Sequence, residues 1–130
     1  MVQIKPQTLS LLADQLAVCR LEPQAAVPAW ATRGPFFCIM RTADELSIVC
    51  AEGAVPPGVR SERGWRAFKL EGPFDFTQTG ILASVLSPLA EAGVGVLALS
   101  TYDTDYVLIK GSQLEQAVAA LEACSHSVQR

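Results

Sequence analysis

The stretch Gly72–Leu121, GPFDFTQTGILASVLSPLAEAGVGVLALSTYDTDYVLIKGSQLEQAVAAL, decides the reading of this chain. Within it Ile81, Leu82, Val85, Leu86 and Leu89 recur at helical spacing, which predicts a helix from about Thr79 to Ala92. Thr77 or Asp75 is placed to cap its start, and Gly93 suits the left-handed residue that closes a helix. Pro88, inside this segment, is expected to bend the helix or interrupt its hydrogen-bond ladder. Branched and aromatic runs then predict a hairpin of two strands, Val94–Ser100 and Tyr106–Lys110. In a second helix, Ser112 and Glu115 have capping-box spacing, and Leu114, Ala117, Val118 and Leu121 form the buried stripe.

Working outward, Trp65–Leu70 reads as a strand before this block and Ser125–Val128 as a short strand after it. The order strand, helix, strand, strand, helix, strand normally folds as an α+β, ferredoxin-like unit: an antiparallel sheet with both helices on one face. Upstream, Leu16–Leu21, Phe36–Arg41 and Leu46–Cys50 also read as strands. The segments between them, Glu22–Gly34 and Ala51–Gly64, carry Pro23, Pro28, Pro56 and Pro57 and lack helical periodicity, so the helices of this half are expected to be shortened or replaced by loops. The expected division is an abbreviated module over 1–63 and a complete one over 64–130. FCIMRTADELSIVC (Phe37–Cys50) and VLALSTYDTDYVLIK (Val96–Lys110) share a strand, an acidic turn and a strand, with one residue inserted. Duplication would produce this likeness, and so in part would any pair of hairpins.

These residues resemble a known family. Thr79-Gly80-Ile81 at a helix start, Pro88-Leu89-Ala90, and Ser100-Thr101-Tyr102 followed by Asp105 and an apolar strand are similar to the ACT domain. More closely, they resemble the subgroup found in the cytosolic arginine sensors called CASTOR and in small bacterial proteins of unassigned role. Arg41-Thr42-Ala43-Asp44-Glu45-Leu46-Ser47 resembles the shorter partner module of those bacterial proteins. The resemblance implies tandem ACT modules, with an amino acid bound at the interface between modules and used to regulate a partner protein. It implies a ligand set of Gln78, Thr79, Gly80 and Ile81 around the amino-acid portion and Asp105 against a basic side chain, with Thr101 and Tyr102 lining the same space. Where the arginine sensors carry a glutamate beside the helix start, this chain has Gln78, which fits a neutral or less strongly cationic amino acid.

The residues themselves permit that chemistry. A helix start leaves backbone N–H groups without intrahelical partners, and a glycine lets an anion approach them. The alternative at Gly80 is close helix–sheet packing. An ionised Asp105 would hold an ammonium or guanidinium; alternatively, Asp103 and Asp105 are turn residues bonding their own backbone. Thr101 could equally cap the turn, and Tyr102 could pack on a neighbouring module. Phe74 and Phe76, beside Asp75, are placed to close over the helix start, although packing is the preferred reading.

Composition narrows the classes. The chain has 130 residues, half of them hydrophobic and 18% charged, with a net charge of −3. That supports a core and argues against nucleic acid, whose binders carry clustered basic residues. The longest apolar run, near Val94–Leu99, is far short of the roughly 20 residues that span a bilayer. Neither a membrane partner nor a signal peptide is expected. Cys19, Cys38, Cys50 and Cys124 lack metal-ligand spacing; the first three sit in apolar stretches and read as small buried hydrophobes, in a reducing, cytoplasmic setting. Asp103-Thr104-Asp105 has too few oxygen neighbours in sequence for a metal site. His126, the one histidine, lies near the C-terminus, where exposure or fraying is expected. No cofactor fingerprint occurs, and catalysis would have to rest on a carboxylate pair such as Asp75 and Asp105. The chain is therefore read as a non-catalytic, amino-acid-binding regulator, with a scaffold for dimerisation or protein interaction that has lost its ligand as the alternative; a homodimer is expected under either reading, because edge strands of such sheets tend to pair.

Overall fold

A computed structural model describes residues 3–130. The chain forms two compact units: Asp14–Trp65, and the residues up to Ala13 together with Arg66–Arg130. The second of these holds β1 (Thr8–Leu11), the latter part of β5 (Ser61–Leu70), α1 (Ile81–Glu91), β6 (Val96–Ser100), β7 (Asp105–Lys110), α2 (Leu114–Ala123) and β8 (Ser127–Gln129). Its strands run in the order β6-β7-β5-β1-β8.

β1 was not expected from the sequence, and it changes the boundary drawn at residue 63, because the segment before Asp14 belongs with the C-terminal residues. It lies between β5 and β8, antiparallel to the first (Leu9 opposite Leu70) and parallel to the second (Leu9 opposite Val128). Four residues, TLSL, are too short a run to announce a strand. They become one because Leu9 is fully buried and both neighbours take up their backbone groups.

Both helices cover one face of this sheet. Phe68 and Leu70 from β5, Val107 and Ile109 from β7 and Leu9 from β1 alternate inward. They meet Val85 and Leu89 of α1 and Ala117, Val118 and Leu121 of α2.

The helix ends depart from the expected caps. Gly80, not Thr77 or Asp75, is the N-cap of α1, with φ +77° and no side-chain cap. The capping box at Ser112 does not form: Gly111–Gln113 is a 3-10 turn, and Gln113 precedes α2 with no capping hydrogen bond. Glu115 instead accepts two hydrogen bonds from Arg130, at 2.7 and 2.8 Å, which hold its carboxyl below the usual range.

Both helices end in the same left-handed motif. In α1, Gly93 bonds back to Ala90 O and Val94 to Leu89 O; in α2, Ser125 bonds to Glu122 O and His126 to Leu121 O. Gly93 has φ +76°, and Ser125 holds +70° with a side chain. A left-handed residue with a Cβ costs roughly 1–2 kcal/mol. Ser125→Gly is therefore expected to stabilise the protein by about 0.5–1 kcal/mol, after the extra backbone entropy of glycine is counted. Urea denaturation measures this, and an unchanged or lower midpoint would contradict it.

His126 corrects another expectation, for it is buried, at 3% exposure. Its Nδ1 accepts the Gln7 backbone N–H at 3.0 Å, which leaves Nε2 as the N–H that donates to Ser84 O at 2.8 Å. Ser84 O is the carbonyl that would have received an N–H from residue 88, and Pro88 has none. The histidine thus completes the helix ladder that the proline interrupts.

The unit Asp14–Trp65 pairs β3 (Cys38–Arg41) with β4 (Leu46–Ala51), β4 with β2 (Leu16–Leu21), and β2 with the start of β5. The expected loss of helices holds: single 3-10 turns at Ala29–Thr32 and Glu52–Ala54 occupy both connections. Its core gathers Ala17, Cys19, Ala31, Leu46, Ile48 and Cys50. Burial, ahead of the neighbouring Cys50, pushes the Cys19 thiol up to about 11, and burial raises Cys50 as well. These are packing thiols rather than nucleophiles. Cys38, expected to be buried too, is partly exposed. Among the described residues, no helix is long and apolar enough to cross a membrane.

Candidate functional site

The start of α1 forms one wall of a cavity. The first intrahelical bond runs from Ser84 N–H to Gly80 O at 3.1 Å, so the N–H groups of Ile81, Leu82 and Ala83 precede the ladder. The backbone favours glycine at position 80, because its φ of +77° lies in the left-handed region; Lys5 Nζ lies 3.6 Å from where a Cβ would stand, an ordinary contact distance. The Lys5 ammonium donates to Thr79 O and so adds positive charge where the helix end is already positive.

The facing wall is the turn between β6 and β7. Thr101 N–H donates to Thr104 O at 2.8 Å, and the Thr101 hydroxyl meets the Thr104 backbone, so Thr101 caps its own turn. Thr104 Oγ1 bonds Leu70 O, and Phe74 N–H donates to Asp103 O at 2.8 Å. These bonds tie the turn to the end of β5 and to the loop that leads into α1. A Cβ on Gly72 would sit 3.1 Å from Asp103 O, so a glycine permits that close approach.

The two walls enclose about 300 Å³. Asp75, Asp103 and Asp105 line the space, and no lysine, arginine or histidine does. Asp105 accepts the Ser100 hydroxyl hydrogen, Asp75 accepts Thr77 N–H at 3.1 Å, and Gln78 Oε1 accepts Asp75 N–H at 2.7 Å. At the mouth, Phe76 and Tyr102 meet edge to face with ring centroids 5.0 Å apart. One end of the cavity therefore offers hydrogen-bond donors, and the other offers carboxylates and aromatic surface. Such an arrangement can receive a small molecule carrying both charges. Among the described residues, no cluster of histidine, cysteine or acidic side chains could hold a metal ion.

Of the residues singled out from the sequence, Gln78, Gly80, Ile81, Thr101, Tyr102 and Asp105 line this one cavity. Thr79 does not, and its carbonyl is occupied by Lys5. Every lining residue belongs to the unit that contains Arg66–Arg130. The sequence reading passed over Asp103 as a turn residue, gave Phe76 a packing role and did not consider Lys5. The first two stand beside residues already chosen and could have been found by proximity. Lys5 lies 74 residues from its partner, and no local signal brings it there.

A family model described as the ACT domain matches residues 60–123, across both walls of the cavity. A crystal structure of a protein from Agrobacterium tumefaciens is 42% identical, covering 95% of this chain and 92% of that one with a TM-score of 0.91. The chain belongs to the ACT domain family. A second family model, described as an N-terminal domain, matches residues 14–58, close to the other unit. This ACT domain protein is also 30% identical to the bovine (Bos taurus) cytosolic arginine sensor for mTORC1 subunit 1, over 69% of this chain. It spans 31% of that sensor's length. The regulatory subunit of aspartate kinase from Thermus thermophilus, at 13% identity and TM-score 0.62 over 89% of this chain and 96% of that one, shares the fold.

Proposed function

We propose that this ACT domain protein binds an amino acid in the cavity between the start of α1 and the β6–β7 turn, and that binding regulates a protein partner. The observation that carries the reading is the convergence of free helix-start N–H groups beside Gly80 with Asp105 across one small cavity. The ligand carboxylate lies against the N–H groups of Ile81 and Leu82, its cationic group faces Asp105, and its apolar part rests on Tyr102. The similarity to an arginine sensor and to regulatory subunits of aspartate kinase supports a regulatory rather than catalytic role, in the cytoplasm. The protein acts as a homodimer, which suits β6, an edge strand paired on one side with β7.

A thermal-shift screen of the twenty amino acids tests the reading. A ligand at a hundred times its Kd adds about 2.7 kcal/mol of stability. One or a few amino acids are expected to raise Tm clearly, and Asp105→Asn, which keeps a partner for Ser100 but removes the charge, is expected to abolish most of the rise. A flat response at millimolar concentrations would overturn amino-acid binding in favour of a scaffold that pairs with other proteins.

A further inference from the structure

We propose that Lys5 is the residue that selects for a carboxylate in this cavity, an inference that rests on the amino-acid-binding reading above. The lining holds three carboxylates, Asp75, Asp103 and Asp105, and no cationic side chain. A ligand carboxylate entering such a space is repelled by all three, and the helix start opposes them with only about half an elementary charge. A full positive charge at the same end of the helix tips that balance, and Lys5 is where the fold puts one. Its ammonium donates to Thr79 O and stands 3.6 Å from the place a Cβ would take on Gly80, which lines the cavity.

Two features set this ammonium apart from an ordinary surface lysine. The first is how firmly its backbone is held. Lys5 O accepts the Ser84 hydroxyl at 3.0 Å and the Gln7 side-chain amide at 3.0 Å, and the Gln7 backbone N–H is taken by His126. These bonds fix the root of the side chain against the first turn of α1, so less freedom is lost when a ligand arrives. The second is unused capacity. An ammonium has three N–H donors, and among the described residues Lys5 meets one acceptor, Thr79 O, and no carboxylate. Its charge is therefore not cancelled by an ion pair and adds to that of the helix end. Lys5 thereby sorts the charges of the ligand, drawing the carboxylate to the α1 start and leaving the cationic group to Asp105 in the facing turn.

Calorimetric titration of the full chain, of Lys5→Met and of Lys5→Arg with the twenty L-amino acids and their α-carboxamides tests this. Methionine keeps an unbranched side chain without the charge, and arginine keeps the charge. An amino acid that binds the natural protein is expected to bind Lys5→Met about tenfold more weakly and Lys5→Arg within about threefold. Its carboxamide, which carries no negative charge, is expected to bind the natural protein and Lys5→Met within about twofold of each other. A merely structural role for Lys5 would weaken acid and amide alike. That result, or acids that bind Lys5→Met as tightly as the natural protein, would overturn the role of Lys5 while leaving amino-acid binding in place. Should the natural protein bind no carboxamide, the acids decide, by whether Lys5→Arg recovers what Lys5→Met loses. Failure of every amino acid to bind the natural protein would overturn both readings.

Discussion

Replacing His126 by alanine is expected to lower the unfolding free energy by about 3 kcal/mol, because it strands two backbone groups at once. The ring bridges Gln7 N–H and Ser84 O, and a buried polar group left without its partner costs roughly 1–3 kcal/mol. The connection to Pro88 supplies a sharper check than the size of the loss. In Pro88→Ala, residue 88 regains an N–H directed at Ser84 O, so the helix no longer depends on the histidine for that carbonyl. In that background His126→Ala is expected to cost about 1 kcal/mol less than in the natural chain, a coupling a double-mutant cycle resolves. Additive effects would mean that the proline and the histidine do not share the carbonyl. His126→Asn, which keeps an acceptor for Gln7 but loses Ser84, is expected to fall between the natural protein and alanine.

Phe68→Ala is expected to be the most damaging single truncation, at about 4 kcal/mol. Phe68 is among the largest fully buried side chains, and it sits where β5 meets both helices. A loss of that size is a large share of the roughly 5–15 kcal/mol that holds a domain together. Phe68→Leu, which keeps most of the volume, is expected to cost about 1–1.5 kcal/mol. Equilibrium urea unfolding measures both. A loss under about 1 kcal/mol for the alanine variant would mean that the sheet and helices do not close on this ring.

Both positions bear on the candidate site, because the elements they hold are its walls. His126 holds Gln7, two residues after Lys5, and Ser84 in the first turn of α1, the turn that forms one wall of the cavity. The Ser84 hydroxyl strengthens the same junction by bonding Lys5 O at 3.0 Å. The N-terminal segment is thereby fastened to α1 at several points, and under the proposed function a destabilising change at His126 is expected to weaken amino-acid binding as well.

What could be read along the chain is whatever short-range pattern encodes. Helical spacing from Ile81 to Leu89 and from Leu114 to Leu121 gave both helices, and branched runs gave β2, β4, β6 and β7 to within two residues. Gly93 ended its helix as its conformational freedom predicts. Six of the seven candidate site residues stand around one cavity because they come from two short segments whose local folds set their direction. Tertiary structure decided everything that joins distant residues. β1 exists because β5 and β8 satisfy its backbone, Lys5 reaches the Thr79 carbonyl across more than seventy residues, and His126 is buried because a proline in another element leaves a carbonyl for it. Propensity weighs a residue against its chain neighbours, whereas these choices were made by hydrogen-bond partners that only the folded chain brings within reach.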